Sequence, residues 1–220
     1  MSDWLKYVWW RIVWVTSQAA MLLGWSLRIE GIRNIPSRGP VLVIANHQSF
    51  LDPTIVGVAS RRQLSYLARK SLFRFTILRW LIYSLNGIPI DQEGIGKEGI
   101  KTILGQLQAG RGVVVYPEGE RTLDGRTQSL KPGIVLLIKR VQAPIVPIGI
   151  AGAFEAWPRT QRWPTFAPLF LPVRKETIAV CVGEALDGRH YSDMPRDKIL
   201  GELLGKIQEV ESRAEALRRK

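Results

Sequence analysis

Four apolar runs constrain the fold of this chain more than any other feature: "PVLVIAN" at 40–46, "GVVVYP" at 112–117, "PIVPIGIAG" at 144–152 and "TIAVCVGEAL" at 177–186. Each is short, rich in β-branched residues and bounded by turn formers, the pattern of a strand buried within a sheet. "GIPI" (87–90) adds a shorter strand, and the proline after "GVVVY" stops that strand sharply. Helical patterns lie between them: "SFLDPTIVGVA" with Ser49 as its N-cap, the basic and aromatic stretch 63–85, "GKEGIKTILGQLQAG" ending near Gly110, and a helix starting after Pro132. The segment after Pro195 places Ile199, Leu203, Ile207, Val210 and Leu217 on one face of a C-terminal helix, whereas the proline-rich 154–175 reads as a surface loop. Strands alternating with helices predict an α/β fold: a single layered domain with a central, mostly parallel or mixed sheet flanked by helices, plus an N-terminal membrane-interface helix. At 220 residues, 46% of them hydrophobic, the chain suits one substantial core.

The first 27 residues carry five of the eight tryptophans: Trp4, Trp9, Trp10, Trp14 and Trp25. Indole prefers the membrane interface, where the ring is buried and its N–H stays wet. Arg11 sits inside this segment, and a charge at the centre of a spanning helix costs ~2.5 to 3.5 kcal/mol on insertion scales. Tyr7, Arg11 and Gln18 form a narrow polar stripe, which favours a helix lying in the interface over one that crosses. The alternative is an amphipathic helix packed on the protein's own core. A secretory signal is disfavoured, because Arg11 interrupts the apolar region and no small-x-small site follows. The expected organisation is therefore an anchoring helix over 1–27 and one domain over 28–220, membrane-associated on the cytoplasmic face.

Lys and Arg number 31 against 19 Asp and Glu, a formal net charge of +12 that calls for an anionic partner. The basic residues are spread along the chain, often inside apolar amphipathic segments, so nucleic acid is the least favoured partner. Cys181 is the only cysteine, so no intrachain disulfide can form, and it reads as a core filler. Cys181, His47 and His190 lack the paired spacing of a metal site, and none is expected. His190, in "DGRHYSD", reads as a surface loop residue.

His47 stands at the end of the first strand, five residues before Asp52. An imidazole can take a proton from a hydroxyl at physiological pH, and a carboxylate across a strand-to-helix turn can orient it. No serine sits in a G-x-S-x-G elbow, which disfavours a covalent serine hydrolase. The bland reading of the same residues is an Asx-type cap beside a hydrogen-bonded histidine. A second cluster, "VVVYPEGERT", ends a buried strand in a Pro-Glu-Gly turn followed by Arg121, with Lys131 ten residues on. Guanidinium and ammonium groups in that arrangement suit a phosphate. "GIGKEG" matches G-x-G-x-x-G, but polar residues separate it from the preceding strand, and Glu118 belongs to the Pro-Glu-Gly block.

In this order, the blocks resemble those of the glycerolipid acyltransferase family, whose best-known members are the 1-acylglycerol-3-phosphate (lysophosphatidate) acyltransferases. N-H-x4-D is matched by Asn46, His47 and Asp52; Gly followed by a strand ending in Asp-Arg is matched in part by Gly87 and Asp91, with Gln92 in the basic position. Phe/Tyr-Pro-Glu-Gly-Thr-Arg is matched by Tyr116, Pro117, Glu118, Gly119 and Arg121, with Glu120 in place of threonine, and a Val-Pro-hydrophobic run is matched around Pro147. The resemblance implies an O-acyltransferase moving a fatty acyl chain from a thioester, acyl-CoA or acyl-carrier protein, to a lysolipid hydroxyl, with no bound cofactor and no metal. It implies His47 as general base and Asp52 as its orienter, with Arg121 and Lys131 gripping the acceptor's phosphate. Glu118 and Gly119 would shape that pocket, joined by Gly87 and Asp91. Gln92 and Glu120 leave the acceptor open: 1-acylglycerol-3-phosphate, another lysophospholipid or a glycolipid. A non-catalytic module that binds membrane lipids is the reading from another class.

Overall fold

The structure, a computed structural model, describes residues 3–90 and 96–220. Its frame is a seven-stranded sheet of β1 (Arg28–Glu30), β2 (Val41–Ala45), β3 (Leu64–Arg69), β4 (Gly87–Ile90), β5 (Gly112–Val115), β6 (Ile145–Ala151) and β7 (Ala179–Val182), in the order β1-β7-β6-β2-β5-β3-β4. Neighbours run parallel except β6 and β7, so the sheet is mixed and mostly parallel. Central β2 is buried at all five positions: Val41, Val43 and Ala45 enter one core, Leu42 and Ile44 the other. Burial on both faces is why this run is apolar throughout instead of alternating.

Helices cover both faces: α1 (Asp3–Trp25), α2 (Asp52–Ser60), α3 (Thr76–Ser84), α4 (Lys97–Gln108), α5 (Gly133–Ile138), α6 (Ala153–Ala156) and α7 (Arg196–Arg218). Residues of α1 and α2 join the first core, and those of α4, α5 and α7 join the second. Side-chain stripes decide these positions. In α7, Ile199, Leu203, Ile207, Val210 and Ala214 are buried at the helical spacing.

Two local expectations change. The stretch 63–85 is not one helix: Leu64–Arg69 forms β3 between β5 and β4, a 3-10 turn covers Lys70–Arg74, and only Thr76–Ser84 is α-helical. Leu64 and Tyr66 pack into one core and Leu67 against the other, so pairing with two parallel neighbours overrides the local helical pattern. Ser49 is not an N-cap either. Helix α2 starts at Asp52, and Ser49 Oγ instead donates to the Trp157 carbonyl at 2.7 Å and accepts from Leu51 N–H.

Helix α1 is tied to the body. Met21 and Trp25 lie in the core, and three indole N–H groups donate inward: Trp9 to Ser84 Oγ, Trp14 to the Val58 carbonyl and Trp25 to the Thr165 carbonyl. Trp4, Tyr7, Ile12 and Val15 of the same helix are exposed. Among the described residues no helix is long and apolar enough to cross a membrane.

Candidate active site

The registers of β2 and β5 pair Ile44 with Val115, so the residues following these strands emerge side by side at the carboxyl edge of the sheet. From β2 the chain turns into Asn46 and His47; from β5 it turns into Tyr116 and the Pro-Glu-Gly segment. Strand order branches to either side of β2 here, the place where open α/β sheets form their crevices. The His47 ring stacks on Tyr116, with centroids 4.1 Å apart and planes inclined by 16°.

Asp52, fully buried at the start of α2, directs Oδ2 to three donors. It lies 2.7 Å from His47 Nδ1 and accepts from Gln48 N–H at 2.6 Å and Ser49 N–H at 2.8 Å. A carboxylate can only accept, so Nδ1 carries the proton and Nε2 is the ring atom left to act as base. The Asx-like cap and the oriented histidine therefore coexist, sharing one oxygen. Tyr116 Oη is buried without a partner among the described residues, and burial, with Asp52 and Tyr66 nearby, drives its pKa well above the ordinary phenol value.

Glu118 is 2% exposed and spends both oxygens on backbone. Oε1 accepts from His47 N–H and Oε2 from Gln128 N–H, each at 2.7 Å. Burial, outweighing these two bonds, pushes its pKa up to about 7. The Glu118 carboxylate thus fastens the backbone of the histidine itself. Thr122 N–H donates to the His47 carbonyl, so the 118–122 turn and the histidine are mutually fixed.

A cavity of about 810 Å³ opens beside His47. Its walls combine Trp10, Val13 and Trp14 of α1 with Leu78 and Ile82 of α3, while Glu120, Arg121, Arg69 and Arg62 are among the polar residues that line it, together with Gly119. That volume is within the ~300 to 1,000 Å³ range of small-molecule sites. Arg121 sits over the Phe50 ring, Cζ to centroid 3.8 Å, and burial lowers its pKa, with Arg69 and Arg159 pushing the same way against Asp52. A partly desolvated guanidinium among other cations is a strong seat for an anion.

Of the residues singled out in the sequence, His47, Asp52, Glu118, Gly119 and Arg121 come together. Gly87 opens β4 and lines the cavity, and an added Cβ there would come within 2.1 Å of Ile82 Cγ2. Lys131 is 57% exposed, 4.0 Å from Glu120, and is not part of the cavity wall. Asp91 and Gln92 lie outside the described residues. Glu120 pairs with Arg159 at 3.1 Å. His190 is exposed and Cys181 buried. Among the described residues no cluster of three potential metal ligands occurs.

Sequence reasoning passed over Tyr116 as a stacking partner, Phe50 and Arg159 around Arg121, and Glu211 of α7. Glu211 accepts from Asn46 Nδ2 at 3.2 Å, Gln48 Nε2 at 3.1 Å and Thr127 Oγ1 at 2.6 Å. Its signal was present: Glu211 is four residues after Ile207 and three before Ala214, on the buried stripe of α7, where a charge is out of place.

An oriented histidine at the mouth of a largely apolar cavity on an α/β sheet, in a chain with no G-x-S-x-G serine, is an arrangement that can move a proton to or from a group bound beside it. The sequence pattern of the Acyltransferase family matches residues 26–151, and the chain belongs to that family. It is 24% identical over 196 residues to the 1-acyl-sn-glycerol-3-phosphate acyltransferase of Bacillus subtilis, covering 87% of this chain and 91% of that one. The chloroplastic 1-acyl-sn-glycerol-3-phosphate acyltransferase of Arabidopsis thaliana is 28% identical over 138 residues, 61% of this chain but only 38% of the plant protein. The crystal structure of the 1-acyl-sn-glycerophosphate acyltransferase PlsC from Thermotoga maritima superposes with a TM-score of 0.79 at 21% identity, covering 100% of this chain and 85% of that one, and shows the same fold.

Proposed function

We propose that this chain transfers a fatty acyl group from a thioester, acyl-CoA or acyl-carrier protein, to the free hydroxyl of 1-acylglycerol-3-phosphate at a membrane surface. The observation that carries the reading is the His47–Asp52 pair at the junction of an apolar cavity and a guanidinium. Apolar walls from α1, α2 and α3 suit the acyl chain, and Arg121 suits the acceptor's phosphate. His47 Nε2 takes the hydroxyl proton as that oxygen attacks the thioester carbonyl; as the C–S bond breaks, the imidazolium returns the proton to the leaving thiolate. Asp52 stabilises the imidazolium, so no acyl-enzyme is required.

The membrane reading has its own support. Helices α1 and α3 wall the cavity and also expose Trp4, Ile77 and Trp80, with Phe75 exposed just before α3 and the Trp9 and Trp80 rings 5.1 Å apart. A lipid-facing surface that doubles as the cavity wall would admit a lysolipid laterally. On the cytoplasmic face, the net positive charge would add attraction to anionic lipid.

One observation favours a second acceptor. Glu120 lines the cavity and places a carboxylate beside Arg121, offset by Arg159 and more distantly by Lys131. A headgroup with hydroxyls or an amine could use Glu120 as an acceptor, as a glycolipid or another lysophospholipid would.

The test incubates purified protein with acyl-CoA or acyl-carrier protein and lysophosphatidate, following free thiol and phosphatidate. Turnover that disappears in His47→Ala, with folding retained, is expected. Full activity in that variant refutes the assignment, and turnover only on other lysolipids selects the second acceptor class.

A further inference from the structure

Helix α7 lies outside the segment that defines the family, residues 26–151, yet one of its side chains reaches the catalytic turn. The approach is close by construction. A Cβ on Gly149 of β6 would lie 2.2 Å from the Glu211 backbone nitrogen, so only a glycine lets the helix lie flush on the sheet. Glu211 Oε1 then meets the side chains of Asn46 and Gln48, the two residues flanking His47, and Oε2 takes Thr127 from the loop after the Pro-Glu-Gly turn. Asn46 is fully buried, and its amide is engaged on three sides: it donates to Glu211 and to the Ile150 carbonyl at 2.9 Å, and accepts from Ile150 N–H at 2.8 Å. Gln48 also donates to the Gly125 carbonyl at 3.2 Å, which ties the same loop again.

Three carboxylates therefore hold one histidine turn, each by a different handle. Asp52 holds the imidazole and two N–H groups, Glu118 holds the His47 N–H, and Glu211 holds the side chains on both sides. Glu211 is half-buried, and partly desolvating a carboxylate among three uncharged donors is a poor way to gain stability, since the ion loses hydration and gains no opposite charge. It is a good way to fix position. We infer that Glu211 is a positioning residue for the acyl-transfer site, setting the placement of His47 through Asn46 and Gln48 and locking the 122–128 loop to the same point. The inference rests on His47 acting as the base.

The test compares Glu211→Ala, Glu211→Gln and, as a stability control, Ile207→Ala, a core substitution in the same helix. Steady-state kinetics and thermal unfolding are read for each, with His47→Ala alongside. Misplacing a base by about 1 Å costs up to ~100-fold, so Glu211→Ala should lower kcat on the order of 10- to 100-fold with both KM values nearly unchanged. Glutamine keeps an oxygen for Asn46 and Gln48 and can donate to Thr127, so Glu211→Gln should recover most of kcat. Ile207→Ala should lower the unfolding temperature while leaving kcat intact. Should Glu211→Ala fail to fold, Thr127→Val removes one of the three bonds and should lower kcat by several-fold at unchanged stability. Parental kcat in Glu211→Ala or Thr127→Val overturns the inference, as does a Gln variant as impaired as the Ala variant. An active His47→Ala would instead overturn the underlying reading of the base.

Discussion

Replacing Asp52 separates its two duties, because among the described residues its three hydrogen bonds converge on one oxygen while Oδ1 has no partner. Asp52→Asn can place its carbonyl oxygen where Oδ2 was and its amide nitrogen in the vacant Oδ1 direction, retaining every acceptor contact. What disappears is charge. Bonds to a charged group contribute about 1.5 to 3 kcal/mol and neutral ones about 0.5 to 1.5, so the change over three bonds is about 4 kcal/mol at mid-range, lessened because no ion is then buried. Asp52→Ala instead strands His47 Nδ1 and two buried N–H groups at about 1 to 3 kcal/mol each, enough to consume most of a domain's ~5 to 15 kcal/mol. Catalysis follows a different order. Without the anion, the imidazolium formed during attack is unsupported, and kcat should fall on the order of 10² to 10⁴-fold in Asp52→Asn. That corresponds to about 3 to 5 kcal/mol of barrier. Urea unfolding and thiol release from acyl-CoA measure the two effects separately. An Asn variant that keeps more than about a tenth of parental kcat would show Asp52 to be a cap alone.

Two further outcomes are expected. Glu118 has its pKa raised to about 7 from an ordinary value near 4.5, so between those values the folded state holds a proton that the unfolded chain has released. Stability should therefore fall as pH rises through that window, by about 3 kcal/mol relative to a non-titrating Glu118→Gln variant; parallel urea profiles for the two from pH 4.5 to 8 would refute it. At the surface, Phe75 and Ile77 are 69% and 83% exposed, so Phe75→Glu with Ile77→Glu should reduce sedimentation with anionic liposomes while leaving the unfolding temperature unchanged; undiminished sedimentation would rule this face out. Deleting residues 1–27 is the poorer experiment, because Met21, Trp25 and Leu27 belong to the core.

What could be read from the sequence was what lies close along the chain or is buried on both sides. Strands β2, β5, β6 and β7 announced themselves because each is apolar at every position. Strand β3 did not: its edge-side neighbour β4 and the charges after it gave it a mixed surface, and its pairing is non-local. Three-residue β1 was too short to leave a pattern. His47 and Asp52 are five residues apart and were legible as a pair, whereas Glu118 was legible as a motif without its bond to the His47 backbone. Glu211 contacts Asn46 across 165 positions, and nothing local distinguishes it from the other acids of α7 except its place on the buried stripe. The tryptophans of α1 were read as facing lipid; three of their N–H groups proved to bind the protein.

The two ends of the chain meet. Strand β1 pairs with β7, and Arg28 donates to the Leu217 and Arg218 carbonyls at the end of α7, 189 and 190 positions away. During synthesis the first helix therefore emerges long before the strand that will fix its angle to the sheet, and Glu211 emerges later still. Such distant closures make folding slow, since loop entropy is lost before the contacts that reward it. The His47 turn therefore gains its last clamp, from Glu211, only once this long-range closure is made.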